Sequence, residues 1–110
     1  MKTISVPISK DAMYRLDSDE CILGDLEELS VSEEEFLALS KTGVFEEINS
    51  TLNKLIDEYE DESIQGQTEL ETALKILQKL FATTNFDTLK KIIHLNEMAM
   101  KYNTGMFFYF

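Results

Sequence analysis

Tryptophan is absent from this chain of 110 residues, which holds one cysteine, one proline, one histidine and four glycines. Cys21 has no internal disulfide partner, which fits a reducing compartment. Only Pro7 and the glycines interrupt the pattern. No stretch is rich in Pro, Gly or Ser and no period repeats, so linkers, low complexity and solenoids are disfavoured. The opening "MKTISVPISKD" lacks a continuous apolar run, so neither a signal peptide nor a membrane span is expected, and the expected residence is cytoplasmic. Basic residues are also scarce, ten against 21 acids. The resulting net charge of −11 opposes contact with nucleic-acid phosphates or anionic lipid and favours attraction to basic partners.

What is present is enough for one folded domain over residues 1–110. Hydrophobic content is 44%, with seven Phe and four Tyr, so a core needs neither metal nor disulfide. The charge is unevenly placed. Residues 11–71 hold 19 acids against Arg15, Lys41 and Lys54, whereas residues 72–110 hold five lysines against Asp87 and Glu97.

"TISVPIS" alternates Ile4, Val6 and Ile8 with polar positions and reads as a strand, placed at an edge or bulge because Pro7 cannot donate a ladder hydrogen bond. Residues 11–31 read as mostly irregular, with a short strand near Met13–Leu16 and another short element near Cys21–Leu23. From Ser32 the pattern is clear. "SEEE" is a capping box, with Ser30 and Glu33 offering another, and the helix it opens should stop near Gly43. Phe45, Ile48, Leu52, Leu55, Ile56 and Tyr59 form one helical stripe. A third helix is expected from the capping box "TELE" at 68–71, and a fourth from "NFD" to about Tyr102, with Gly105 as its stop. The unbroken apolar ending "MFFYF" fits a central strand beside residues 3–8. The expected fold is therefore α+β, about four helices on one face of a small sheet that includes the N- and C-terminal strands. The alternative is all-α with extended terminal arms.

Catalytic and metal signatures are weak. His94 has no second histidine at ligand spacing, and Cys21 lies among carboxylates that raise rather than lower a thiol's pKa. In "DSDECILGDLEE" (17–28), acids fall at positions 1, 3, 9 and 12 of a calcium loop, but Ile22 stands where the loop needs glycine. There is no phosphate loop, nucleophile elbow or dinucleotide fingerprint. No enzyme activity, cofactor or metal is expected, and an unrecognised enzyme or metal-bound carboxylate site is the third-ranked alternative.

The positive signal is the acids. "LIDEYEDES" (55–63) places five carboxylates where the last turn of the second helix should lie, the end at which peptide dipoles disfavour them. The candidate contact set is Asp17, Asp19, Glu33, Glu34, Asp57, Glu58, Tyr59, Glu60, Asp61 and Glu62, with Tyr14, Tyr59 and Phe36 as aromatic anchors. A short chain with "SEEEF", "GVFEEIN" and "LIDEYEDE", then a lysine-bearing helical half and an aromatic terminal strand, resembles the small acidic immunity proteins of bacterial toxin systems. That resemblance is compositional. It implies a protein that neutralises a basic toxin, such as a nuclease, by occluding its active site. The alternative is a nucleic-acid mimic that blocks a DNA-binding or defence protein, with carboxylates in place of phosphates. A solvated face that keeps a small protein soluble is the plain structural explanation of the same charge. No nucleic-acid or membrane partner is expected.

Overall fold

A computed structural model describes residues 2–110, Met1 lying outside the described part. Strand β1 (Lys2–Pro7) is followed by α1 (Lys10–Asp17), β2 (Leu26–Val31), α2 (Glu33–Thr42) and α3 (Val44–Leu52). Then come β3 (Glu62–Gln65), α4 (Gln67–Thr84), α5 (Asp87–Tyr102) and β4 (Gly105–Tyr109). The strands form one antiparallel sheet in the order β2-β1-β4-β3. The α+β class and the adjacent terminal strands are as expected from the sequence, and the all-α alternative fails because residues 3–5 pair with 107–109.

Side chains alternate across the sheet, so Ile4, Val6, Ile64, Met106 and Phe108 share one face and Thr3, Ser5, Ser63, Phe107 and Tyr109 the other. The first set is buried in one cluster with Leu39, Ile48, Leu70, Leu77, Leu89 and Ile92 from α2 to α5. The second face carries α1, whose Met13 and Leu16 border depressions floored by Phe107 and Tyr109. The expectation of helices on a single face thus holds for four helices, and a fifth covers part of the other side.

Five local expectations are corrected. Residues 11–31 are not mostly irregular, and Met13–Leu16 lies in helix α1 rather than in a strand. The Ser9 hydroxyl caps α1 by accepting from the Ala12 amide at 3.0 Å, and "LEELSV" forms β2. The helix read from Phe45 to Tyr59 stops at Leu52, because Asn53 turns into the left-handed region (φ 56°) and the Lys54 amide returns to the Asn49 carbonyl. Helix α4 starts at Gln67, before the "TELE" box, behind Gly66 and without a side-chain cap. Helix α5 ends on left-handed Asn103, and Gly105 opens β4 instead of stopping the helix. Strand β1 is internal. Its ladder to β4 ends at Ser5, so Pro7 pairs only with β2, while its carbonyl accepts the buried Thr104 hydroxyl at 2.7 Å.

Other signals hold. Ser32 and Glu35 form both halves of the capping box, Glu35 also accepts from Thr88, and these bonds hold its carboxyl below the usual range. Gly43 takes φ 83°, a conformation that favours glycine, between α2 and α3.

Helix α1 is tied down by one ion pair. Arg15 Nε and Nη2 each donate to a different oxygen of Asp25 at 2.7 Å, and the Ile22 amide donates to Asp25 at 3.0 Å. These bonds hold the Asp25 carboxyl down at about 2. A folded-state pKa below the unfolded value means that the stabilisation is complete above the ordinary carboxylate range and disappears as pH falls through about 4 toward about 2. In acid denaturation the wild type should lose stability across that window, and Asp25→Asn, less stable at neutral pH, should show a flatter profile there. Equal slopes for the two proteins would remove the pair from the account.

Candidate functional site

The segment "LIDEYEDES" (55–63) lies in a loop, residues 53–61, and at the start of β3, so its acids do not oppose a helix dipole. Side chains bonded to backbone build it. Asn49 donates from Nδ2 to the Ile56 carbonyl at 3.2 Å and accepts the Ile56 amide at 2.9 Å, which seats Ile56 in the core. Asp57 Oδ1 accepts the amides of Tyr59 and Glu60, and Glu62 Oε2 accepts the amide of Leu55. Asp57 and Glu62 therefore have structural work, while Tyr59 is 92% exposed and Glu60 and Asp61 face solvent. Replacing Asn49 by alanine removes two bonds from a part-buried loop root, and should cost about 1–3 kcal/mol. Amide exchange at Ile56 should accelerate far more than at the α5 core; unchanged protection at Ile56 would show that another contact holds the loop.

Eight of the ten predicted contact residues lie in two places. Asp17 and Asp19, at the end of α1 and just after it, meet Asp61 and Glu62 around a depression of about 450 Å³ floored by Phe107 and Tyr109. Burial, and next the nearby Asp61, push the Tyr109 phenol up, with Cys21, Asp19 and Asp17 adding to the effect. The ring stays a neutral hydroxyl among carboxylates. The second group surrounds Lys2. Its ammonium lies 2.8 Å from Glu33, 4.0 Å from Glu58 and 4.7 Å from the centre of the Phe36 ring. The Glu33 hydrogen bond leads the causes that raise the Lys2 pKa.

Beside that group lies a pocket of about 280 Å³ that includes Phe36, Phe45, Glu46, Asp57, Glu58 and Tyr59. Loop 53–61 joins the two places, since Asp57 to Tyr59 border one and Asp61 the other. Glu34 and Glu60 are exposed and belong to neither group. Of the proposed anchors, Tyr14 is 68% exposed beside Asp17, whereas Phe36 is 7% exposed and contributes a floor rather than a projecting ring.

Sequence reasoning missed Tyr109, Phe107, Phe45 and Glu46, which border these depressions; their own neighbourhoods read as core strand and helix. His94 and Cys21 do not meet. His94 faces a groove between α5 and β2, and Cys21 lies in the loop after α1. Desolvation, and next the Asp25 charge, raise the Cys21 thiol pKa against the opposing pull of Arg15. Among the described residues no group of His, Cys, Asp and Glu is arranged to hold a metal ion. No described helix is long and apolar enough to cross a membrane.

Neither a protein family nor a curated protein matches the sequence. Among solved structures the chain is similar to the Neisseria DNA mimic protein DMP12. The TM-score is 0.69, with 100% of each chain covered and 16% sequence identity. At that identity the likeness establishes a shared fold over the whole chain.

Proposed function

We propose that this protein is a DNA mimic, which occupies the DNA-recognising surface of a basic protein with carboxylates set where phosphates would lie. The observation that carries the reading is the gathering of Asp17, Asp19, Asp61 and Glu62 from two distant segments around one depression. The lysines of residues 72–110 ride instead on α4 and α5, across the sheet. The shared fold with a protein named as a DNA mimic supports the same reading.

A surface of this kind repels nucleic acid and attracts whatever binds it. A toxin nuclease is a narrower version of the same target, and no comparison points to one. The experiment loads cell proteins on immobilised duplex DNA and elutes with this protein, then repeats the displacement with each purified released protein and a fluorescent duplex. Release of a DNA-binding protein at a fixed stoichiometry, with the duplex set free, is the expected result. If only a nuclease is inhibited and no DNA-binding protein lets go of DNA, the toxin inhibitor takes the place of the mimic. No displacement of any kind would leave the acids as a solvated surface.

A further inference from the structure

We propose that the pocket between α2, α3 and loop 53–61 takes up an arginine side chain of the partner, so that binding has one anchored contact within a diffuse electrostatic surface. This inference rests on the mimic reading and names the group that the partner supplies. The floor is aromatic. Phe36 and Phe45 stack with ring centres 5.6 Å apart and 26° between planes. Around them stand Glu46, Asp57, Glu58 and the exposed ring of Tyr59.

Such a lining rejects anions and leaves neutral polar groups poorly matched. A flat cation satisfies both parts, since its face lies against the exposed Tyr59 ring and its edge donates to carboxylates, while Phe36 and Phe45, 7% and 8% exposed, give the pocket an apolar base. The protein already places a cation in this field. The Lys2 ammonium sits over Phe36 between Glu33 and Glu58. Glu46 has no ion-pair partner among the described residues, so a second cation entering the pocket finds a carboxylate not already engaged. A volume of about 280 Å³ accommodates a guanidinium and part of its methylene stem. Arginine is preferred over lysine because its delocalised charge is more weakly hydrated and its plane stacks.

The test titrates isotope-labelled protein with N-acetyl-arginine amide, N-acetyl-lysine amide and N-acetyl-glutamine amide while amide resonances are followed. Saturable shifts confined to residues 45–49 and 56–60 are expected with arginine, with weaker ones for lysine and none for glutamine. Glu46→Gln and Tyr59→Ala, both at the surface, should each weaken arginine binding about threefold without altering the remaining spectrum. Shifts that are equal for arginine and lysine and spread over Asp17, Asp19 and Asp61 would overturn the pocket.

Displacement of DNA from a released DNA-binding protein separates this inference from the mimic reading. A Glu46→Gln/Tyr59→Ala double variant that frees DNA as well as wild type overturns the arginine anchor and leaves mimicry standing. Wild-type protein that binds arginine in the pocket yet frees no DNA overturns mimicry and leaves the anchor.

Discussion

Asp17→Lys combined with Asp61→Lys should weaken competition with duplex DNA for a DNA-recognising partner by about a hundredfold, while thermal stability stays level or rises. Both residues are exposed and line the same depression, so the reversals set two cations against a cation-lined partner in the middle of the contact. Stability is not at risk because Asp17 ends α1, where the helix dipole already disfavours a carboxylate and welcomes a lysine. The control reverses Glu71 and Glu97, exposed on α4 and α5, which changes the net charge equally and should alter competition only slightly. Equal losses from both pairs would mean that net charge, and not a located surface, governs binding.

Salt gives a second reading of the same titration. Duplex DNA carries condensed counterions, and a protein making six to ten phosphate contacts loses roughly 10³–10⁵ in DNA affinity between 50 and 200 mM salt. A folded domain with separated carboxylates has no comparable atmosphere to release. Its own affinity should fall more gently, so its advantage over DNA should grow as salt rises. A decline as steep as that of DNA would argue against this difference.

The parts of the fold that could be read ahead of the structure are those in which local chemistry and packing agree. Ser32 and Glu35 close their capping box, and helices stand where the third and fourth were expected, burying Leu70, Ala73 and Leu77 on one and Leu89, Ile92 and Ala99 on the other. Three helix ends were harder. Asn53, Asn85 and Asn103 each take the left-handed conformation that stops α3, α4 and α5, a role that the side-chain amide of asparagine tolerates but that composition marks less strongly than glycine. The stripe beginning at Phe45 ran through Asn53 for that reason. Beyond it only Ile56 is buried, while Leu55 and Tyr59 are 59% and 92% exposed.

Helix α1 had no stripe to show. Among "KDAMYRLD" only Ala12 is buried, and the helix is held by the Arg15–Asp25 pair, a contact between segments that spacing does not reveal. The acidic surface follows the same division. Asp17, Asp19, Asp61 and Glu62 were identifiable as a dense set of charges, but their meeting depends on β3 lying beside β4 and on α1 crossing the opposite face from the main core. Glu33 and Glu58 meet through Lys2, a contact between distant segments that spacing does not reveal.

Phe108→Ala should be the most damaging single core substitution described for this chain, at about 3–5 kcal/mol. Phe108 is 2% exposed on the core face of β4, opposite Ile4 of β1 and Glu62 of β3, so its ring sits where the two central strands and their helices converge. Removing the ring takes away apolar contact on every side, and paired strands cannot easily close the space. The damage should spread in one direction. Phe108 meets Phe110 edge-on at 5.7 Å, and Phe110 in turn meets Phe36 at 5.3 Å and Phe45 at 5.5 Å, the two rings beneath the acidic pocket. Urea denaturation followed by circular dichroism measures the loss. Against a total stability of about 5–15 kcal/mol a loss of that size removes a large share of the margin. Phe110→Leu keeps apolar volume and should cost less, while still loosening the Phe36–Phe45 floor and reducing arginine-amide binding. A loss under about 1 kcal/mol for Phe108→Ala would mean that the helices form a stable core without the terminal strand, contrary to the central place that β4 holds in the sheet.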